Sequence, residues 1–120
     1  METRQLIELA VESARKKKSG RIVVMDMRGL SPAADYFFIT SAASTRQVQA
    51  IVDEIAEKLA KDGVKPTRVE GQTEGRWVVL DYIDVFIHVF LDEARDYYSL
   101  ESLWGDAPRV LELEAEEEGG

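Results

Sequence analysis

The sequence has no cysteine, a single histidine (His88) and only three prolines among its 120 residues. Without cysteine there is no disulfide framework, no thiol nucleophile and no thiolate metal site, and a reducing cytoplasm suits such a chain. One histidine cannot furnish a two-histidine metal motif, and no Gly-x-Ser-x-Gly elbow offers it a serine to activate. No apolar run reaches the roughly 18–20 residues that span a bilayer. The opening METRQLIELA is charged rather than arranged as a signal peptide, and Glu2, Glu8 and Glu12 run against an organellar transit peptide. The expectation is a cytoplasmic protein of one domain over 1–110, followed by an acidic, disordered tail over 111–120.

Cations are also scarce. Fifteen Lys and Arg stand against 23 Asp and Glu, a formal net charge of −8. Five glutamates and no cation lie in the last ten residues, so the body is nearer −3. Nucleic-acid binding relies on Lys and Arg that displace counterions from phosphates, and this chain is poorly supplied. An acidic domain suits a basic protein partner, whose complementary field speeds encounter; solubility alone would also account for the charge.

What is present is strongly patterned. Leu6, Leu9, Ala10 and Ala14 form an apolar stripe on a helix over Thr3–Lys18, with Lys16, Lys17 and Lys18 at its negative end. RIVVMDM (Arg21–Met27) and DYFFITS (Asp35–Ser41) read as buried strands. Ser44 and Gln47 make a capping box for a helix carrying Val48, Ile51, Val52, Ile55 and Leu59, which Gly63 closes. Val64–Gly71 reads as an edge-like strand, since Pro66 cannot donate to a ladder. After the QTEGR loop come two strands, then a short helical region that Pro108 ends. Within it, Leu100 and Leu103 read as core against the sheet; Arg95 there, and Arg46 in the preceding long helix, read as local partners of nearby acids. The order α-β-β-α-β-β-β-α implies a mixed sheet covered by helices.

WVVLDYIDVFIHVF (Trp77–Phe90) is the most apolar run, yet it carries Asp81, Asp84 and His88. The two aspartates flank a hairpin turn centred on Tyr82 and Ile83. Because Ile83 is β-branched and disfavours positive φ, a type I-based loop is expected there. With Asp81 facing Asp84, Leu80 pairs with Val85, Val79 with Phe86, Val78 with Ile87 and Trp77 with His88. Alternation gives one aliphatic core face (Val78, Leu80, Val85, Ile87, Val89). The second face carries Trp77, Val79, Asp81, Asp84, Phe86, His88 and Phe90, a mixture resembling the centre of an interface.

Enzymatic readings fare worse. A metal-dependent nucleotidyltransferase places a Gly-Ser turn before two acids at i and i+2, both on one strand face, to hold Mg²⁺. Neither ADYFFI nor LDYIDV contains Asp-x-Asp, and no Gly-Ser turn precedes them. Gly71 and Gly75 lack the Lys-Ser/Thr and helix of a phosphate loop. No catalytic residue, metal or cofactor is expected. A lone histidine on a strand packs or touches a partner, here beside Trp77.

Three segments, ADYFFITSAASTRQVQAI (Ala34–Ile51), VEGQTEGRWVVLDYIDVFIHVF (Val69–Phe90) and RDYYSLESLWGDAP (Arg95–Pro108), together resemble the ribosomal silencing factor family, also known as the Iojap-related proteins. Ile83 departs from that pattern, where glycine is expected. The resemblance implies a mixed five-stranded α/β sheet, similar to nucleotidyltransferases without their catalytic acids. It further implies docking on the large ribosomal subunit through large-subunit ribosomal protein fourteen, which blocks joining of the small subunit and represses translation when nutrients are short. No sequence-specific nucleic acid and no membrane enter that reading; a homodimer through the same face is compatible with it. The contact residues expected are Trp77, Asp81, Tyr82, Asp84 and His88, with Tyr98 and Trp104. A divergent nucleotidyltransferase and a homodimeric scaffold with another partner are the alternatives.

Overall fold

The computed structural model describes residues 1–116. Helix α1 (Thr3–Lys16) buries Leu6, Ala10 and Ala14, the spacing at which one helical face recurs. Strands β1 (Ile22–Asp26) and β2 (Tyr36–Ala42) follow. Helix α2 (Thr45–Lys61) starts at Ser44, whose Oγ accepts from the Gln47 amide at 3.1 Å. Gln47 Oε1 in turn accepts from the Ala43 amide at 3.2 Å, so the capping box closes one residue ahead of the cap. Its Nε2 donates to the carbonyls of Lys17 and Lys18, which locks the end of α1 to the start of α2.

Strands β3 (Arg68–Glu70), β4 (Trp77–Asp81) and β5 (Val85–Leu91) lead into two short helices, α3 (Asp92–Tyr98) and α4 (Leu100–Leu103), and then β6 (Arg109–Leu113). The sheet has six strands in the order β3-β4-β5-β2-β1-β6. Only β2 and β5 run parallel; the other neighbours are antiparallel.

The sixth strand corrects two expectations, the five-stranded sheet and a disordered tail beginning at residue 111. Leu111 and Leu113 pack on the core while Glu112 stays in water, so an acid-rich segment with alternating leucines pairs with β1. A bulge beside Val24 and Met25 and the charged flanks protect this edge from further pairing. Arg15 then reaches the Glu116 carboxylate at 2.6 Å. The rest of the expected tail, 117–120, lies outside the described residues.

Two cores flank the sheet. Between the sheet and α1/α2 lie Val24, Phe38, Val78, Leu80, Ile87 and Val89 with the helix stripes. The other face carries Met25, Phe37, Ile39, Phe90, Ala94 and Leu100 under α3 and α4. That second cover is short. Strand β4 alternates buried and half-buried positions, the signature of a strand covered on one side only. Among the described residues no helix is long and apolar enough to cross a membrane.

Candidate functional site: an aromatic face with an acidic surround

The face that α3 and α4 leave partly open is the one that carries Trp77, Val79 and Asp81 on β4 and Phe86, His88 and Phe90 on β5. Its two-faced division is as the sequence reading has it, but the register differs. Trp77 pairs with Phe90, Val79 with His88 and Asp81 with Phe86. The shift is two residues, which leaves every side chain on its expected face.

The shift arises at the turn. The Tyr82 amide donates to the Val85 carbonyl at 3.0 Å and the Asp84 amide to the Tyr82 carbonyl at 2.9 Å, closing a three-residue γ-type turn over Ile83. Ile83 has φ +73°, contrary to the expectation that a β-branched residue would avoid that region. Asp81 Oδ1 accepts from the Ile83 amide at 2.8 Å and holds it there. Asp81 is therefore a turn-capping group as well as a half-exposed carboxylate, and Asp84 is exposed beside it.

Trp77 is the organising residue of the open face. Its indole stacks on Phe90 (centroids 5.0 Å apart, planes at 26°) and leans on Tyr98 of α3 at 4.8 Å. Its Nε1 donates to His88 Nδ1 at 3.1 Å. A glycine at 71 permits this placement: with φ +80°, its Cα lies so close to the Trp77 carbonyl that a Cβ would collide with it. Phe37 from β2 continues the cluster, edge-on to His88 at 4.7 Å and to Trp104 at 6.4 Å. Such aromatic pairs contribute about 0.5–1.5 kcal/mol each beyond area burial.

Two residues expected at a contact surface are placed elsewhere. Tyr82 is buried on the helix-covered face; desolvation pushes its phenol up to about 12. His88 is 5% exposed, and burial pulls its pKa down to about 3. It is thus a neutral imidazole that fixes the Trp77 ring, with the proton on Nε2, which finds no hydrogen-bond partner. The physical reason for both misplacements is that alternation assigns a face and says nothing about what covers it.

Helices α3 and α4 complete the face. Tyr98 is half exposed, Trp104 half buried, and Tyr97 packs edge-on against Tyr98 while 80% exposed. Leu100 is core as expected, whereas Leu103 is 70% exposed. Asp92, Glu93 and Asp96 run exposed along α3.

Arg95 pairs with a nearby acid as expected, but not at the surface: it is buried. Its guanidinium bonds Glu101 Oε1 through Nε (3.0 Å) and Nη2 (2.6 Å), and through Nη1 bonds the Arg21 carbonyl (2.6 Å) and Ser41 Oγ (3.0 Å). This pair bridges Ser99, which takes a left-handed φ of 47° between α3 and α4. The spacing Arg-x₅-Glu carries no helical periodicity, so only the break at Ser99 brings the two together.

Among the described residues no three acids, histidines or cysteines are grouped to hold a metal ion. The arrangement offers an aromatic surface with carboxylates beside it.

The model of the family described as "ribosomal silencing factor during starvation" matches residues 1–119. This chain belongs to the ribosomal silencing factor family. A ribosomal silencing factor of Halalkalibacterium halodurans is 44% identical over 114 residues, covering 95% of this chain and 97% of the relative. One from Bacillus subtilis is 42% identical over 108 residues, 90% of this chain and 92% of the relative. A crystal structure of a Chromobacterium violaceum protein superposes with a TM-score of 0.83 at 35% identity, covering 88% of each chain. The curated relatives bear the name of a regulator, and the mixed α/β sheet is shared with the solved structure.

Proposed function

We propose that this silencing factor is a non-enzymatic repressor of translation that acts in the cytoplasm by occupying a surface. It docks through the open aromatic face onto the large ribosomal subunit, on large-subunit ribosomal protein fourteen, and there excludes the small subunit when nutrients are limiting. One observation carries the reading. Trp77 and Tyr98, with ring centroids 4.8 Å apart and both incompletely covered, sit with exposed Tyr97 beside the acids of α3. Partly exposed Trp and Tyr in a charged surround are the composition of interface hot spots. Ribosomal proteins are generally basic, so acids around the patch favour encounter.

Trp77, Tyr98 and Trp104 are the anchors in this reading, Asp81 and Asp84 meet Lys or Arg of the partner, and His88 serves indirectly by orienting Trp77. The sheet is read as a nucleotidyltransferase-like fold used without catalysis, which the lack of Asp-x-Asp on its strands supports. Steric exclusion needs no chemistry, only affinity, and a standard interface of about 1,600 Å² is within reach of a domain this size.

The test is sucrose-gradient sedimentation of purified subunits under associating Mg²⁺. The protein should co-migrate with the large subunit and abolish the joined peak, and a folded Tyr98→Ala, Asp84→Ala variant should lose both effects by tenfold or more in required concentration, roughly. A joined peak that persists at saturating protein defeats the proposal.

A further inference from the structure

Ile83 poses a problem that the aromatic face does not solve. It sits at φ +73° with 64% of its surface in water. For a β-branched residue that conformation is a genuine outlier, and such strain persists only where the surroundings enforce it. Here they do. The Ile83 amide is held by Asp81 Oδ1, the flanking amides of Tyr82 and Asp84 close the turn, and the Asp84 carbonyl accepts from the amides of both Asp35 and Tyr36. On the other side, Thr67 donates its amide and hydroxyl to the Asp81 carbonyl. Glycine would occupy this turn without strain. The chain instead holds a branched apolar side chain out in solvent, where it gains almost no packing.

We propose that Ile83 is a second docking element, an apolar peg at the hairpin tip that enters an apolar socket on a protein partner. The tip lies beyond Asp81, the far end of β4, which is about 13 Å from Trp77 for four strand residues, so the two anchors define a line along the strand. The flanking groups specify the socket's rim. Asp84 is exposed next to the peg and Asp81 half exposed behind it, so the rim carries Lys or Arg. Two carboxylates at the tip repel a phosphate backbone, which makes the partner here protein rather than RNA. This inference rests on the docking reading above and adds to it the residue that fixes register and selectivity on the partner.

The experiment measures melting temperature and affinity for purified large subunits in the full chain and in Ile83→Gly and Ile83→Leu. Ile83→Gly should melt at the same temperature or higher, because relief of the strained φ offsets the added chain entropy, yet bind about tenfold more weakly. Ile83→Leu keeps an apolar peg and should bind within about threefold of the parent chain. A stable Ile83→Gly protein with parental affinity overturns the peg while leaving docking intact. If the parent chain does not bind at all, the docking reading falls and takes this inference with it.

Discussion

Replacing Glu101 by glutamine should cost about 3–5 kcal/mol of stability, read as a fall in the urea midpoint at unchanged m. The side chains of Arg95 and Glu101 are 8% and 10% exposed and 2.6 Å apart. Glutamine keeps the shape and one acceptor but removes the charge, so the guanidinium is left in a low-dielectric site with only the Arg21 carbonyl and Ser41 Oγ on its other side. Breaking a buried pair is costly because one charge stays behind. Removing both is not: Arg95→Met with Glu101→Leu should recover most of the loss. If Glu101→Gln unfolds within 1 kcal/mol of the parent, the pair is not what holds α3 and α4 down. Arg21, which also reaches Glu101 at 3.3 Å, is more exposed and its loss should be felt far less.

Acid should weaken the protein through His88. The folded pKa is pulled to about 3 by burial, against about 6.5 in the unfolded chain. A depressed pKa means the unfolded state binds the extra proton, so His88 leaves stability untouched above pH 6.5 and erodes it as pH falls from there toward 3. The slope approaches 1.4 kcal/mol per pH unit, or about 2–3 kcal/mol between pH 6.5 and 4.5. The rings facing the imidazole, Phe37, Trp77 and Phe90, carry no charge that could offset it. Denaturation midpoints measured at pH 7, 5.5 and 4.5 should therefore fall more steeply for the parent than for His88→Gln, which keeps an acceptor for the indole and cannot titrate. Parallel curves would show that the imidazole is reached by water.

Much of this architecture is legible in the sequence, and for identifiable reasons. Ser44, Gln47 and the Val48–Leu59 stripe define α2 because capping and periodicity agree there. The two faces of the β4–β5 hairpin follow from alternation, which survives even the two-residue error in register. Several of the errors share a cause. Whether His88 is covered, whether Leu103 is not, and whether Arg95 is buried against Glu101 depend on how α3 and α4 lie across the sheet, and the left-handed Ser99 that sets their path has no signal in the sequence. Tyr82 is covered from the opposite side, by the core under α1 and α2. The turn at Ile83 departs from its local preference because hydrogen bonds from Asp35, Tyr36 and Thr67 hold the flanking carbonyls of Asp84 and Asp81. β6 is hard to read from sequence because its glutamates mask two leucines at strand spacing.

The parallel seam between β2 and β5 has a kinetic consequence. The β1–β2 and β4–β5 pairs are local hairpins that can form early, but the seam joins Tyr36 to Val85 and Ala42 to Leu91, segments far apart in the chain, and closing so long a loop is slow. Phe37 reaches His88 and Phe86 only once that seam exists. A nascent or half-folded copy thus displays hairpins without the assembled aromatic face, and competence to dock should return in refolding together with the slowest phase, not before it. Recovery of large-subunit binding ahead of that phase would show that the hairpin alone suffices. On the docking reading proposed above, late assembly reserves binding for the finished protein and withholds it while the chain is still being made.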